Sequence, residues 1–251
     1  MKNFALLSVF VIFALIPAAR AQNPAVDPAA LFAESVELHR AGKYADARAA
    51  LRKYLALEPD SAIAHHNLGV VCTDAALYRE AIASFREALR IKPDYAEARR
   101  NLGAALYRAG QLSEAVAEFR KALALKPDYV LALNDLGVAL SELGGHADAV
   151  RTIERAVRLD ARNAVSFHNL GYVATRAGKR AKAVEAFEQA LRLDPGSSES
   201  RFFLAALFLA EKNRGAALRQ YAELKTRNAE LAEKIYRAIF SDKLLVIEAR
   251  D

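Results

Sequence analysis

The sequence predicts an all-α fold built as an array of helix pairs, and three observations predict it. The first is composition. Ala, Leu, Glu, Arg and Lys dominate the 251 residues, while Trp is absent and there are only 11 Gly and 7 Pro; the dominant residues are the strong helix formers. The second is self-similarity. Leu-Gly pairs occur at Leu68-Gly69, Leu102-Gly103, Leu136-Gly137 and Leu170-Gly171, each 34 residues from the next. Alanines at 47, 81, 115, 149, 183 and 217 keep the same interval, and four residues after each stands a bulky side chain: Leu51, Phe85, Phe119, Ile153, Phe187 and Tyr221. The third is punctuation. Pro59, Pro93, Pro127 and Pro195 fall on the same 34-residue beat, and proline ends a helix because it has no backbone N–H to donate.

The elements follow in order. Lys2, an apolar run from Phe4 to Ile16, and Ala19-Arg20-Ala21 form the pattern of a secretory signal peptide over residues 1–21, with cleavage expected after Ala21. The run is about 13 residues, short of the roughly 20 that cross a bilayer. A retained anchor is the alternative. No later stretch reaches transmembrane length, so the mature chain is expected to have no membrane span. Residues 22–27 read as a flexible leader. Six units then follow at 28–61, 62–95, 96–129, 130–163, 164–197 and 198–231. In the unit 96–129, one helix is expected from Ala96 to Ala109, a break at Gly110, and a second helix from Ser113 to Leu125. Asp94 with Glu97 reads as a capping box. Gly103 and Ala115 are small enough for the two helices to approach closely, and Phe119 is expected to fill the space between neighbouring units. Ser35 and Ala205 replace the glycine in the outer units, as terminal caps of an array often do. Ala161 stands where proline is usual, which predicts a looser join. Residues 232–251 are read as a capping helix and tail. The apolar end Leu244–Ile247 either folds back on the last unit or docks a partner.

The 34-residue pattern of Leu-Gly, bulky residue, Ala, aromatic, Ala and Pro resembles the tetratricopeptide-repeat (TPR) family. The resemblance implies a right-handed superhelical solenoid of about six helix-turn-helix units plus a C-terminal capping helix. Stacked units share one core, since no single pair can bury its apolar face alone. The family's first helices line a concave groove. Here that face is expected to carry His66, Asn67, Arg100, Asn101, Asn134, Asp135, His168 and Asn169. Further along the stripe come Val70, Ala104, Val138 and Tyr172, then Thr73, Tyr107, Ser141 and Thr175. Asn67, Asn101 and Asn169 resemble the asparagine ladder of the repeat domain of O-linked N-acetylglucosamine transferase, whose side chains hold a partner's backbone. An amide both donates and accepts, so a row of them can bind an extended peptide of any sequence. The same asparagines also fit a plain packing or solubility role. Asp135 interrupts the row. Arg100, with Arg108 and Arg176 one turn on, supplies too few cations for a dedicated carboxylate clamp.

Other chemistry is poorly supported. Removing Lys2 and Arg20 would take the net charge from +6 to +4, with basic residues interspersed, which argues against a nucleic-acid partner. The single cysteine, Cys72, excludes an intrachain disulfide. A buried core thiol is the favoured reading, over a reactive thiol or a bridge between chains. His39, His65, His66, His146 and His168 have no metal-pair spacing, and no phosphate loop, nucleophile elbow or CxxC occurs. No cofactor and no catalysis are therefore expected. The expected function is an exported interaction scaffold, periplasmic or secreted, that takes a protein or peptide in its groove. The alternative is a structural part of a cell-envelope assembly, such as a pilus, secretion or outer-membrane complex, using its convex face or tail.

Overall fold

The computed structural model describes residues 27–240; the expected signal peptide, most of the leader and the Leu244–Ile247 tail lie outside them. Among the described residues there are thirteen helices and no strand. Six pairs run α1 (Pro28–Arg40) with α2 (Tyr44–Leu57), α3 (Ala62–Asp74) with α4 (Tyr78–Ile91), and α5 (Ala96–Arg108) with α6 (Leu112–Leu125). They continue with α7 (Val130–Glu142) and α8 (His146–Leu159), α9 (Ala164–Arg176) and α10 (Arg180–Leu193), and α11 (Ser198–Ala210) and α12 (Arg214–Arg227). Helix α13 (Ala229–Phe240) follows. Each helix packs on its predecessor, giving an all-helical repeat solenoid. Odd-numbered helices also touch one another (α3 on α5, α5 on α7, α7 on α9), whereas the even-numbered ones make their main contacts with the odd helices beside them. The odd helices are therefore the closer-set row and line the inner curve.

The glycine of each Leu-Gly pair sets how closely two helices of a pair approach. A Cβ at Gly103 would lie 2.6 Å from the Phe119 ring, and one at Gly69 2.6 Å from Phe85. Phe119 thus packs over Gly103 within its own pair, where the sequence had placed it between units. Between the two helices the chain turns through a left-handed residue at Gly42, Gly110, Gly144 and Gly178. At the same beat stand Ala76 and Lys212, with φ of 57° and 59°, a conformation that costs an L-residue about 1–2 kcal/mol.

The expected capping box does not form. Helix α5 opens after Tyr95 with no side-chain cap, and Glu97 turns instead toward Lys126, 3.6 Å away. The join at Ala161 is not loose either. Asp160 accepts from the Arg162 backbone N–H at 3.1 Å and from the Asn163 amide at 3.3 Å, and Asn163 caps α9 through the Ser166 N–H at 3.0 Å. Hydrogen bonds from an Asx-type turn replace the missing proline.

The core divides along the chain. One long cluster runs from Ala47 to Ala186 and holds Phe85, Phe119 and Ile153. A second gathers Phe187, Leu204 and Leu207. A third joins Leu224 of α12 to Ile235 and Ile239 of α13. Helix α13 therefore covers the apolar face of the last pair through Ile235 and Ile239, one helical turn apart. Cys72 is fully buried in the first cluster. Burial foremost, and then the nearby Glu80 carboxylate, push its thiol up to about 11, so the thiolate needed for reaction is scarce at neutral pH.

Candidate functional site: the inner face of the odd-numbered helices

The inner stripe is organised by two repeat positions. One lies three residues before the Leu-Gly glycine (His66, Arg100, Asn134, His168) and the other two before it (Asn67, Asn101, Asp135, Asn169). In α3, α5 and α7 these residues form a hydrogen-bond relay across three units. His66 Nδ1 meets Asn67 Oδ1 at 3.3 Å, and Asn101 Nδ2 donates to His66 Nε2 at 2.9 Å. Arg100 Nη1 donates to Asn101 Oδ1 at 3.3 Å, while Arg100 Nε donates to Asp135 Oδ2 at 2.5 Å. Asn67 Oδ1 can only accept and the Asn101 amide nitrogen can only donate, so His66 is neutral with its proton on Nδ1. Burial lowers the His66 pKa, against smaller raising effects from Asn67 and Glu97. Burial also raises the Asp135 pKa, with Arg100 pulling the other way.

Further along, the same positions behave differently. Asn134 is only 3 % exposed, and its amide donates to Ser166 Oγ at 2.8 Å, leaving its own Oδ1 buried and unpartnered. His168 Nδ1 meets Ser200 Oγ at 2.8 Å, and its pKa is lowered by burial. The sequence reading of Asn134 as a groove-facing residue is therefore corrected: it seals the seam between α7 and α9. The cause is one residue. The third helical position of the next unit is Ala98 after His66 and Ala132 after Arg100, but Ser166 after Asn134 and Ser200 after His168. A buried seryl hydroxyl draws the preceding side chain down into the seam; an alanine leaves it to reach across to the next unit's polar residue.

Freed from that relay, Asn169 is half-buried, and among the described residues its amide has no hydrogen-bond partner. Beside it lies an aromatic cluster. Phe203 occupies the next ladder position, its ring stacked on Phe187 at 5.5 Å and 3° and set edge-on to Tyr172 at 5.9 Å and to His168 at 5.9 Å. Tyr172 donates to Glu142 Oε1 at 2.5 Å, and Arg176 approaches the same carboxylate at 3.5 Å. Burial and then Glu142 push the Tyr172 hydroxyl up to about 12. Tyr107 is half-buried without a hydroxyl partner, its pKa raised by burial first and by Glu142 second. Of the basic residues on this face, Arg100 is held by Asp135 and Arg176 by Glu142. Among the described residues, exposed Arg108 forms no ion pair.

The sequence reading missed Ser166, Ser200 and Phe203. Aligning the third helical residue and the ladder position of every unit would have exposed all three. A hollow of about 200 Å³ lies on the inner face between α1 and α3, lined by Val36, His39, Asn67 and Val70. A larger one, about 470 Å³, lies among α8, α9 and α10, lined by Val157, Arg158, Phe167 and Lys182. Among the described residues, no cluster of His, Cys, Asp and Glu could hold a metal ion, and no helix is long and apolar enough to cross a membrane.

Comparisons with known proteins agree with this architecture. The TPR-repeat model matches residues 78–110 and 105–144, and the tetratricopeptide-repeat model matches residues 164–197. No curated protein matches the sequence. The solved structure of PilW, a widely conserved type IV pilus biogenesis factor, superposes with a TM-score of 0.76 at 24 % identity, covering 83 % of this chain and 98 % of PilW. PilF of Pseudomonas aeruginosa gives 0.72 at 21 % identity, over 86 % of this chain and 97 % of PilF. YrrB, a TPR protein with an unusual peptide-binding site, gives 0.56 at 24 % identity, over 69 % of this chain and 90 % of YrrB. At these identities the likeness concerns the fold. The chain carries tetratricopeptide repeats set in an all-helical repeat solenoid.

Proposed function

We propose that this chain is an exported, non-catalytic interaction scaffold that holds an extended peptide or protein segment along its inner face. TPR repeats are protein-interaction scaffolds, a kind of fold that generally does not catalyse. The observation that carries the reading is the inner stripe itself: five odd helices, α3 to α11, carry Asn67, Asn101, Asp135, Asn169 and Phe203 in register at a 34-residue interval. Stacked repeats create extended concave surfaces of this kind. Export rests on the residues 1–21 pattern, and a periplasmic or secreted location follows from it.

The test is a crosslinking pull-down from a cell-envelope fraction with the tagged full chain. The triple variant Asn67→Ala, Asn101→Ala, Asn169→Ala runs beside it, with helicity checked by circular dichroism. Loss of a specific partner from the folded variant supports the groove; unchanged capture removes it. A second reading is favoured by the fold neighbour PilW, named as a type IV pilus biogenesis factor. In that reading the chain is a structural part of an envelope assembly, using its convex face or residues 244–251. Deleting Leu244–Asp251 separates the two, because groove binding survives the deletion and an assembly contact through the tail does not.

A further inference from the structure

The inner face is unequal along its length, and that inequality names the chemistry of its occupant. Between α3 and α7 the ladder amides are engaged in whole or in part: Asn101 on both sides, by His66 and Arg100, and Asn67 through its oxygen, by His66. Among the described residues, the Asn169 amide, the Tyr107 hydroxyl and the Arg108 guanidinium on the same face have no hydrogen-bond or ion-pair partner. Tyr107 lies within electrostatic reach of Arg108, Arg176, Glu142 and Asp135, which sets these charges around one spot. Asp135 is matched by Arg100 and Glu142 by Arg176. Arg108 is therefore the uncompensated charge there, with a phenol donor beside it. Two and three units further on, Tyr172 and the half-exposed Phe203 ring, backed by Phe187, offer an aromatic platform, with the Asn169 amide one unit before Phe203 at the same repeat position.

Resting on the groove reading above, we infer that the preferred occupant is an extended peptide with two anchors. A carboxylate side chain is held by Arg108 and Tyr107. An aromatic or branched apolar side chain lies against Phe203 and Tyr172, and Asn169 hydrogen-bonds the backbone beside it. A guanidinium with a phenol donor complements a carboxylate through charge-assisted hydrogen bonds. A half-buried aromatic ring takes an apolar side chain with little further ordering. Packed helices lie about 8–10 Å apart, so the two anchors, some two and a half helix spacings apart, are roughly 20–25 Å from each other. An extended peptide rises about 3.3 Å per residue, which places the acidic residue about six to eight positions from the apolar one.

The test is panning of a random dodecapeptide display library on the immobilised full chain. Enriched peptides are then titrated by fluorescence anisotropy against Arg108→Gln, Asn169→Ala and Phe203→Leu. Arg108→Gln alters an exposed side chain and Phe203→Leu keeps apolar volume, so folding is retained and checked by circular dichroism. The expected result is enrichment of the acidic–apolar pair at that spacing, with affinity falling about tenfold for Arg108→Gln and for Asn169→Ala. Changing the peptide's acidic residue to its amide should weaken binding to the parent chain but not to Arg108→Gln. Recovered peptides without the pair, no enrichment at all, or unchanged affinity in all three variants would overturn the inference. If the triple asparagine variant loses the peptides while Arg108→Gln and Phe203→Leu do not, the groove reading stands and this deepening of it falls. If no groove variant matters, both fall.

Discussion

The inner face of the units around α3 to α7 and that around α9 to α11 use one repeat template to opposite ends. In the first region the ladder side chains His66, Asn67, Arg100, Asn101 and Asp135 hydrogen-bond one another across three units. In the second, His168 is drawn into the seam by Ser200, leaving Asn169 unpartnered beside Phe203. The switch is Ala or Ser at one helical position. The lesson is that a repeat motif fixes where a side chain stands, while its partner in the next unit fixes whether it is available. An asparagine ladder counted from sequence overstates the number of free amides.

The comparison can be broken or sharpened in order of size. The largest effect is expected from Phe187→Ala. It empties the centre of the second core cluster and removes the ring behind Phe203, so a loss of about 3–5 kcal/mol is expected. Urea unfolding should show the C-terminal half giving way before the N-terminal half, since repeat arrays couple mainly to their neighbours. A single unshifted transition would contradict the division of the core.

Next comes Ser200→Ala. It strips the partner from His168 in a largely buried seam, and about 1–3 kcal/mol should be lost. The equivalent change in the other direction, Ala98→Ser, should pull His66 off Asn101 with little loss of stability, which the His66 ring-nitrogen shifts in NMR would report. If His66 keeps its bond to Asn101, the Ala/Ser rule is wrong.

Ala76→Gly is smaller and opposite in sign. Ala76 holds the left-handed turn that glycine takes at Gly42, Gly110, Gly144 and Gly178. Relieving it should add about 1 kcal/mol, read as a higher Tm. No gain would mean that the turn is held without strain.

Smallest is the pH response. His66 and His168 have folded pKa values below the ordinary 6.5 because burial penalises the imidazolium. The unfolded chain then binds more protons than the folded one below about pH 6.5, so stability falls as pH drops from 6.5 through the folded values and levels off below them. Asp135 acts in the opposite sense: its raised pKa makes the folded state the better proton binder, so its penalty is present at neutral pH and fades as pH falls toward 3.8. His168→Gln should flatten the fall beginning near pH 6.5, as followed by thermal melts from pH 7.5 to 5; an unaltered slope would contradict the burial argument.

Much of the fold was legible in the sequence because a 34-residue beat of Leu-Gly, Ala and bulky residues is a packing rule written once per unit. The close approach of the two helices at Gly103 could be read from residue size alone, whereas the place of the Phe119 ring over Gly103 within its own pair could not. The cap at Asp94 was misread because Tyr95 stands one residue later and Glu97 finds Lys126 instead. The loose join at Ala161 was misread because Asp160 and Asn163 supply hydrogen bonds where proline supplies rigidity. The site was half legible. Position gave the stripe, but the contacts of Asn134 and His168 depend on Ser166 and Ser200 in the following units, 32 residues away, which a motif centred on Leu-Gly does not include.

The most direct measurement is to titrate one groove-bound peptide or captured partner segment against two single variants, Asn101→Ala and Asn169→Ala. If the inner face binds through the amide that its neighbours leave free, Asn169→Ala weakens binding about tenfold while Asn101→Ala changes it little. Equal losses, or a larger loss at Asn101, would contradict the account.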